Sequence, residues 1–496
     1  MTIIIEGHTV HNQLENLCKL FFPCIPIHQT MSKNDCKDPV RLYTRYKNRR
    51  TSVCLLAVFV QGDKKYAARQ IISQKDADNR KLVEQRLCAA AYQALSTALH
   101  FTLPWGILTG IRPVKLIQDC YERGLDEVQT REYMGKTFHI GKEKLDLCIE
   151  TAENQTAAFS LLQPHSCSLY VSIPYCPTRC RYCSFVSHSI SSEQARKTIP
   201  AYIDHLCQEL AAISERIDRN GLKLETIYFG GGTPTSITAE QLKMLTDCIA
   251  RLFDISTLRE YTVEAGRPDT ITAEKLRVLK KAGVDRISIN PQTFNDSVLE
   301  QIGRCHTSAE TERAFALARQ EGFQEINMDF IAGLPTDTFE SFQQSMYRAV
   351  DLGPENITVH TLSIKRSSDL YTRQGLGQDL DAYQAMKMVN FSGEFLREHG
   401  YKPYYLYRNK NTLGNLENIG YMKAGHISLY NTYIMEENHT IFAAGAGGVT
   451  KLVSTDRKQI NRIFNFKYPY EYLKRFDQIL ERKKEIDRFY EQYAVR

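Results

Sequence analysis

The stretch YVSIPYCPTRCRYCSF places Cys176, Cys180 and Cys183 on one short loop that directly follows a strand-like run. The spacing is Cys-x3-Cys-x2-Cys. Three thiolates this close in sequence can ligate three irons of a [4Fe–4S] cubane, which leaves the fourth iron open to a ligand from outside the chain. Zinc is the competing reading, because His188 would complete a Cys3His set, although zinc sites usually draw on two separated ligand pairs and there is no second Cys pair here. Buried structural thiols are a third reading. Most of the other cysteines, including Cys54, Cys88, Cys120, Cys148, Cys207 and Cys248, stand alone among apolar neighbours, as small buried hydrophobes do.

The elements that must hold this loop follow from the pattern around it. From about Ser168, short β-rich runs alternate with amphipathic helical segments: SLYVSIP (168–174), ETIYFG (225–230), EYTVEAG (260–266), RISINPQ (286–292), EINMDFIAG (325–333) and NITVHTLSI (356–364). After the first run Ile203, Leu206, Cys207, Leu210, Ile213 and Ile217 recur at helical spacing, with Pro200 near the expected start and Gly221 past the end. After the second, Thr238-Ala-Glu-Gln reads as a capping box. Alternation of this kind predicts parallel strands joined by right-handed crossovers. Six units are too few for a closed eight-stranded barrel. The fold class expected is α/β, a partial (β/α)6 TIM-like barrel over 165–376, with an α+β N-terminal domain over 1–160 and a C-terminal lid or accessory region over 377–496.

An α/β barrel gathers its chemistry at the carboxyl ends of its strands. Those ends carry Glu264, Gln292, Asp329 and His360, and the second run closes on GGGTPT (230–235), where missing side chains let backbone groups approach a ligand. A P-loop is excluded because no Gly-Lys-Ser/Thr follows.

With the cysteine loop, GGGTPT and the strand-end residues together, the chain resembles the radical SAM superfamily. Within it the resemblance is to the oxygen-independent coproporphyrinogen III oxidase family, closest to its HemZ-type dehydrogenase branch, and it covers about 165–450. It implies a [4Fe–4S] cluster on Cys176, Cys180 and Cys183 and one or two molecules of S-adenosylmethionine (SAM), the first chelating the open iron. Reduction of the cluster would cleave SAM to a 5′-deoxyadenosyl radical. By family pattern Tyr170, Gly231 and Glu264 look like contacts of the cluster-bound SAM, and Tyr182, Gly232, Thr233, Gln292, Arg304 and Asp329 like contacts of a second. Tyr170 and Arg304 are also the candidate catalytic residues.

The implied reaction is oxidative decarboxylation of coproporphyrinogen III to protoporphyrinogen IX, an anaerobic, cytoplasmic step of heme biosynthesis. The stretches ITVHTLSIKR (357–366), PYYLYRNKNTLGNLENIGY (403–421) and AAGAGG (443–448) carry that part of the resemblance. The partners implied are a tetrapyrrole, a reductant such as flavodoxin or ferredoxin, and an electron acceptor that the sequence does not name. A heme chaperone and a radical heme methyltransferase with ring opening are the alternatives. Three positions depart from the family: Cys183-Ser184-Phe185 replaces a terminal Cys-x-Cys, Ser172 stands where a His is usual, and Asn290-Pro291-Gln292 replaces Gly-Val-Gln. A substrate with four propionates calls for cations, and Lys365, Arg366, Arg408 and Lys410 are the candidates.

Composition sets the outer limits. A chain of 496 residues with 43% hydrophobic content builds a large core. Its 63 basic and 57 acidic residues nearly balance at +6, without the polybasic run of a nucleic-acid surface. MTIIIEGHTV is too short an apolar stretch for a signal h-region, and no segment reaches the roughly 18 apolar residues of a membrane span. Fourteen cysteines in a chain of this size without a leader point to a reducing compartment rather than a disulfide framework.

Overall fold

The computed structural model describes residues 1–23, 25–32, 38–109, 112–163, 165–185, 188–365, 368–372, 380–409 and 412–493. It divides into two compact units, Met1–Ala152 and Glu153–Arg496. No helix among the described residues is long and apolar enough to cross a membrane.

The first unit is built on a five-stranded sheet in the order His28–Thr30, Thr2–Glu6, Val40–Asn48, Ser52–Gln61, Lys64–Ser73. Period-two alternation makes Ser52–Gln61 its clearest strand: Val53, Leu55, Ala57 and Phe59 are buried, and Cys54, Leu56 and Val58 between them are only half-buried. Gly62, at φ +58°, and Asp63 form the two-residue turn into the next strand, a conformation that suits glycine. The helix Arg80–Leu99, capped by the Asn79 side chain, lays Leu87 and Leu95 on this sheet.

The second unit is organised by one eleven-stranded sheet. All six expected runs form strands, Ser166–Ile173, Lys223–Gly231, Glu260–Glu264, Arg286–Ser288, Glu325–Ala332 and Asn356–Thr361, paired in chain order and all parallel. Among the described residues the sheet does not close on itself. Residues beyond 377 extend it on both sides. Thr440–Ala444 adds a seventh parallel strand beside Ser166–Ile173, followed by antiparallel Val449–Val453 and Ile460–Phe464. On the far side Glu417–Met422 and Lys402–Arg408 pair antiparallel against Asn356–Thr361. The C-terminal region thus shares the sheet of the core.

Helices cover the sheet as the pattern requires. Glu193–Arg219 buries Leu206, Leu210 and Ile213 completely, each contributing about 1.5–3 kcal/mol of apolar burial. It begins seven residues before Pro200, which therefore lies inside the helix instead of near its start. The turn preceding Pro200 is mostly exposed, so water can satisfy the carbonyl that proline leaves without a donor. The Thr238–Gln241 capping box is formed and starts Ala239–Leu252. The fourth strand is shorter than its run, because Pro291 lacks an N–H and Gln292 takes φ +70°.

Candidate active site

The cysteine loop leaves the first strand of the parallel set and is bracketed by a short parallel pairing of Tyr175–Cys176 with His188–Ser189. Its three sulfurs share one neighbourhood. Burial, then the adjoining thiol of Cys180 and that of Cys176, push the Cys183 thiol up to about 11. Among the described residues no three His, Cys, Asp or Glu side chains form a finished metal cage, so the match to a cluster rests on the donor set and on what surrounds it. The Thr233 hydroxyl donates to Cys176 Sγ at 3.5 Å, and Arg267 Nη1 lies 3.9 Å from Cys180 Sγ. Hydroxyl and guanidinium donors around thiolates are what an anionic thiolate-bound cluster requires. His188, the possible fourth ligand of a zinc site, is half-buried in the bracketing strand, and burial lowers its pKa.

Arg267 was not singled out from sequence. It is buried, forks onto Asp269 with two bonds of 3.0 Å, and reaches the hydroxyl of Thr178 in the cysteine loop at 3.2 Å. Its sequence signal is its place immediately after the third strand run. Arg304, which was expected here, is also buried. Its Nη1 donates to the carbonyls of Asn290 (2.6 Å) and Gly266 (3.3 Å), and its Nη2 to the hydroxyl of Tyr182 (3.3 Å). Burial works against its charge, but Tyr182 and Cys180 beside it raise its pKa overall. Arg304 Nε remains buried without a hydrogen-bond partner, and a buried unsatisfied donor is one that an anionic ligand can use. Tyr182 is held protonated by burial, and the thiols of Cys180 and Cys183 add to this.

GGGTPT packs against the end of the first strand. A Cβ on Gly232 would stand 2.6 Å from Tyr175 O and 2.9 Å from Ile173 O, and Gly231 adopts φ +104° with Ser172 Oγ 2.9 Å from its Cβ position. These two glycines admit the neighbouring backbone and side chain of the first strand and the cysteine loop.

On the parallel strands a second group forms. Tyr170, Tyr228 and Tyr430 stack, with Tyr228 and Tyr430 centroids 4.4 Å apart, and the Tyr228 hydroxyl donates to Glu264 Oε1 at 2.6 Å. Burial, with Asp329 nearby, lifts Glu264 to about 7 despite the Tyr228 bond and the closeness of His360. Asp329 is held the other way. Burial would raise it, but His360, 3.8 Å away, and an Asn327 amide bond of 2.7 Å keep it below its ordinary value. The Tyr407 hydroxyl lies 3.3 Å from His360 Nδ1. Gln292 is buried and joins the fifth strand through its backbone, donating N–H to Asp329 O at 2.9 Å. Tyr228 shares a register with Tyr170 across adjacent strands, a legible signal, whereas Tyr430 had none.

The substrate candidates are less gathered. Lys365 is half-buried just past the sixth strand. Arg408 is 2% exposed inside the edge hairpin and donates to Asn415 O at 3.2 Å. Arg366 and Lys410 lie outside the described residues.

A parallel strand set with a three-cysteine loop at the carboxyl end of its first strand defines a radical SAM protein, and the family profile of the radical SAM superfamily matches residues 170–348. Among curated proteins, the oxygen-independent coproporphyrinogen-III oxidase-like protein HemZ of Bacillus subtilis (strain 168) is 41% identical over 406 residues, 81% of each chain. The heme chaperone HemW of the same organism is 35% identical over 285 residues, 57% of this chain and 70% of the relative. The solved coproporphyrinogen III oxidase HemN from Escherichia coli shares the fold, with a TM-score of 0.50 and 22% identity, covering 66% of this chain and 72% of that one. The chain belongs to the radical SAM superfamily and, within it, to the family of HemZ, HemN and HemW.

Proposed function

We propose that the protein catalyses oxygen-independent oxidative decarboxylation of coproporphyrinogen III to protoporphyrinogen IX. The observation that carries this reading is the breadth of the similarity to HemZ: 406 aligned residues reach well past the superfamily span of 170–348. The reading draws in the segments around 357–366, 403–421 and 443–448.

In this reading Cys176, Cys180 and Cys183 hold a [4Fe–4S] cluster, and the cluster with SAM supplies the one-electron chemistry that removes a hydrogen atom from a substrate carbon. Arg267 and Thr233 stabilise the thiolates. Gly231 presents backbone groups to the cluster-bound SAM, and Tyr170 covers an apolar face of it. Glu264 and Asp329 accept hydrogen bonds, the first able to carry a proton near neutrality and the second held as an anion. Tyr182, Gly232, Thr233, Gln292, Arg304 and Asp329 line the place of a second SAM, where Arg304 Nε takes a carboxylate. Lys365, Arg366 and Lys410 are the cations offered to propionates. Loss of a hydrogen atom and of CO2 from a propionate leaves a vinyl group and one electron, which passes to an acceptor outside the chain.

The test is anaerobic incubation of reconstituted protein with coproporphyrinogen III, SAM, a reductant and an acceptor, followed by chromatography of the oxidised porphyrins. Stepwise loss of two carboxylates supports the proposal. The similarity to HemW favours a second reading, delivery of heme. Unchanged tetracarboxylate together with tight heme binding and transfer would select it.

A further inference from the structure

Helix Phe476–Lys483 ends on Lys483, whose side chain is 0% exposed and pairs with an equally buried Glu209 at 2.8 Å. A carboxylate has about four acceptor positions. Glu209 fills its own with Lys483 Nζ, Asn465 Nδ2 (2.7 Å), Tyr472 OH (2.7 Å) and the backbone N–H of Gly445 (2.8 Å). Lys483 Nζ also donates to Ala443 O at 2.7 Å. The ion pair therefore grips both ends of Ala443–Gly445, the start of the Gly-rich turn.

That turn touches the strand leading to the cysteine loop. Ala443 pairs in register with Tyr170, Ser172 Oγ donates to Ala446 O at 2.8 Å, and the Tyr202 hydroxyl donates to Ser172 O at 2.9 Å while accepting from Ala446 N at 2.8 Å. The fit is tight. A Cβ on Gly445, which sits at φ +95°, would stand 2.6 Å from both Ser172 O and Tyr202 OH. A buried ion pair does little for stability compared with an apolar replacement, yet leaving one partner alone is costly. Its direct effect here is geometric, since it fixes the direction of a carboxylate and of two backbone groups.

We propose that Lys483 is a positioning residue for the SAM site, acting through Glu209 and the turn 443–448 on Ser172 and Tyr170. The inference rests on the reading of Tyr170 as a SAM contact. It makes the helix Phe476–Lys483 a support of the site.

The experiment compares Lys483→Met with Ile479→Ala in the full-length chain. Ile479 is a buried residue of the same helix outside the network, so its truncation reports simple loss of helix packing. Two readouts are taken: amide hydrogen exchange at Gly445 and Ala446, which needs no cofactor, and equilibrium binding of SAM to cluster-reconstituted protein. Lys483→Met should speed exchange at both amides and weaken SAM binding about tenfold, a step equivalent to 1.4 kcal/mol, with iron content unchanged. Ile479→Ala, compared below its melting transition, should do neither. Tyr472→Phe removes one donor and keeps the ion pair, so it should show a smaller loss of the same kind, and it carries the test if Lys483→Met does not fold. Equal exchange and equal SAM affinity in the variants and the control would overturn the proposal. Wild-type protein without SAM affinity would sink the site reading itself, and the exchange rates would then still decide whether Lys483 tethers the turn.

Discussion

Replacing Glu264 by Gln should make the second unit more stable at neutral and alkaline pH and leave it unchanged in acid. The carboxyl rises from 4.5 to about 7 in the folded chain, with burial as the main cause and Asp329 adding to it. Between those values the folded state keeps a proton that the unfolded state has released, so stability falls as pH rises through the window. A shift of that size corresponds to roughly 3 kcal/mol, and partial solvent access at Glu264 trims the expected gain to about 2 kcal/mol. Glutamine still accepts the Tyr228 hydroxyl but carries no charge to desolvate. The assay is urea unfolding of both proteins at a series of pH values from about 4 to 8, followed by far-UV circular dichroism. Tyr228→Phe removes the donor that favours the anion and should move the midpoint of the window upward. Parallel pH profiles for wild type and Glu264→Gln would refute the reasoning.

Cys180→Ala should lose iron and sulfide while circular dichroism stays unchanged, because the ligands lie on a loop; one zinc per chain without sulfide would contradict the cluster. Gly232→Ala should lose most SAM affinity and some stability, since its Cβ would meet the carbonyls of Tyr175 and Ile173, and calorimetry with melting curves reads both. Arg304→Lys should keep iron but weaken SAM binding about tenfold or more, because a point charge cannot reproduce the fork that now holds Asn290, Gly266 and Tyr182. Asp329→Ala should slow turnover with iron retained, measured as 5′-deoxyadenosine formed over time.

Much of the fold that carries the candidate site was legible because it follows from periodicity and spacing. The six runs alternate with amphipathic helices, and a parallel set with strand ends on one side follows from that alternation. Cys176, Cys180 and Cys183 announce themselves by spacing. What was not legible depends on contacts distant in sequence. Arg267 clamps the cysteine loop from the end of another strand. Tyr430 reaches the tyrosine stack because Glu260 accepts from the backbone N–H groups of Leu429 and Tyr430, which starts the helix Leu429–Glu436 at that point. The strand Thr440–Ala444 could not be assigned to the core sheet, because a five-residue run, TIFAA, carries no mark of which edge it joins. Arg408, a candidate cation for propionates by sequence, is buried in the edge hairpin, a placement that only the strand pairing reveals.

The central claim is that SAM cleavage at the three-cysteine loop is spent on propionate decarboxylation. The most direct measurement counts 5′-deoxyadenosine and CO2 in the same anaerobic reaction, with and without coproporphyrinogen III. The two products should rise together, one for one, only when the tetrapyrrole is present. Deoxyadenosine formation that ignores coproporphyrinogen III, with no CO2 released, would contradict it.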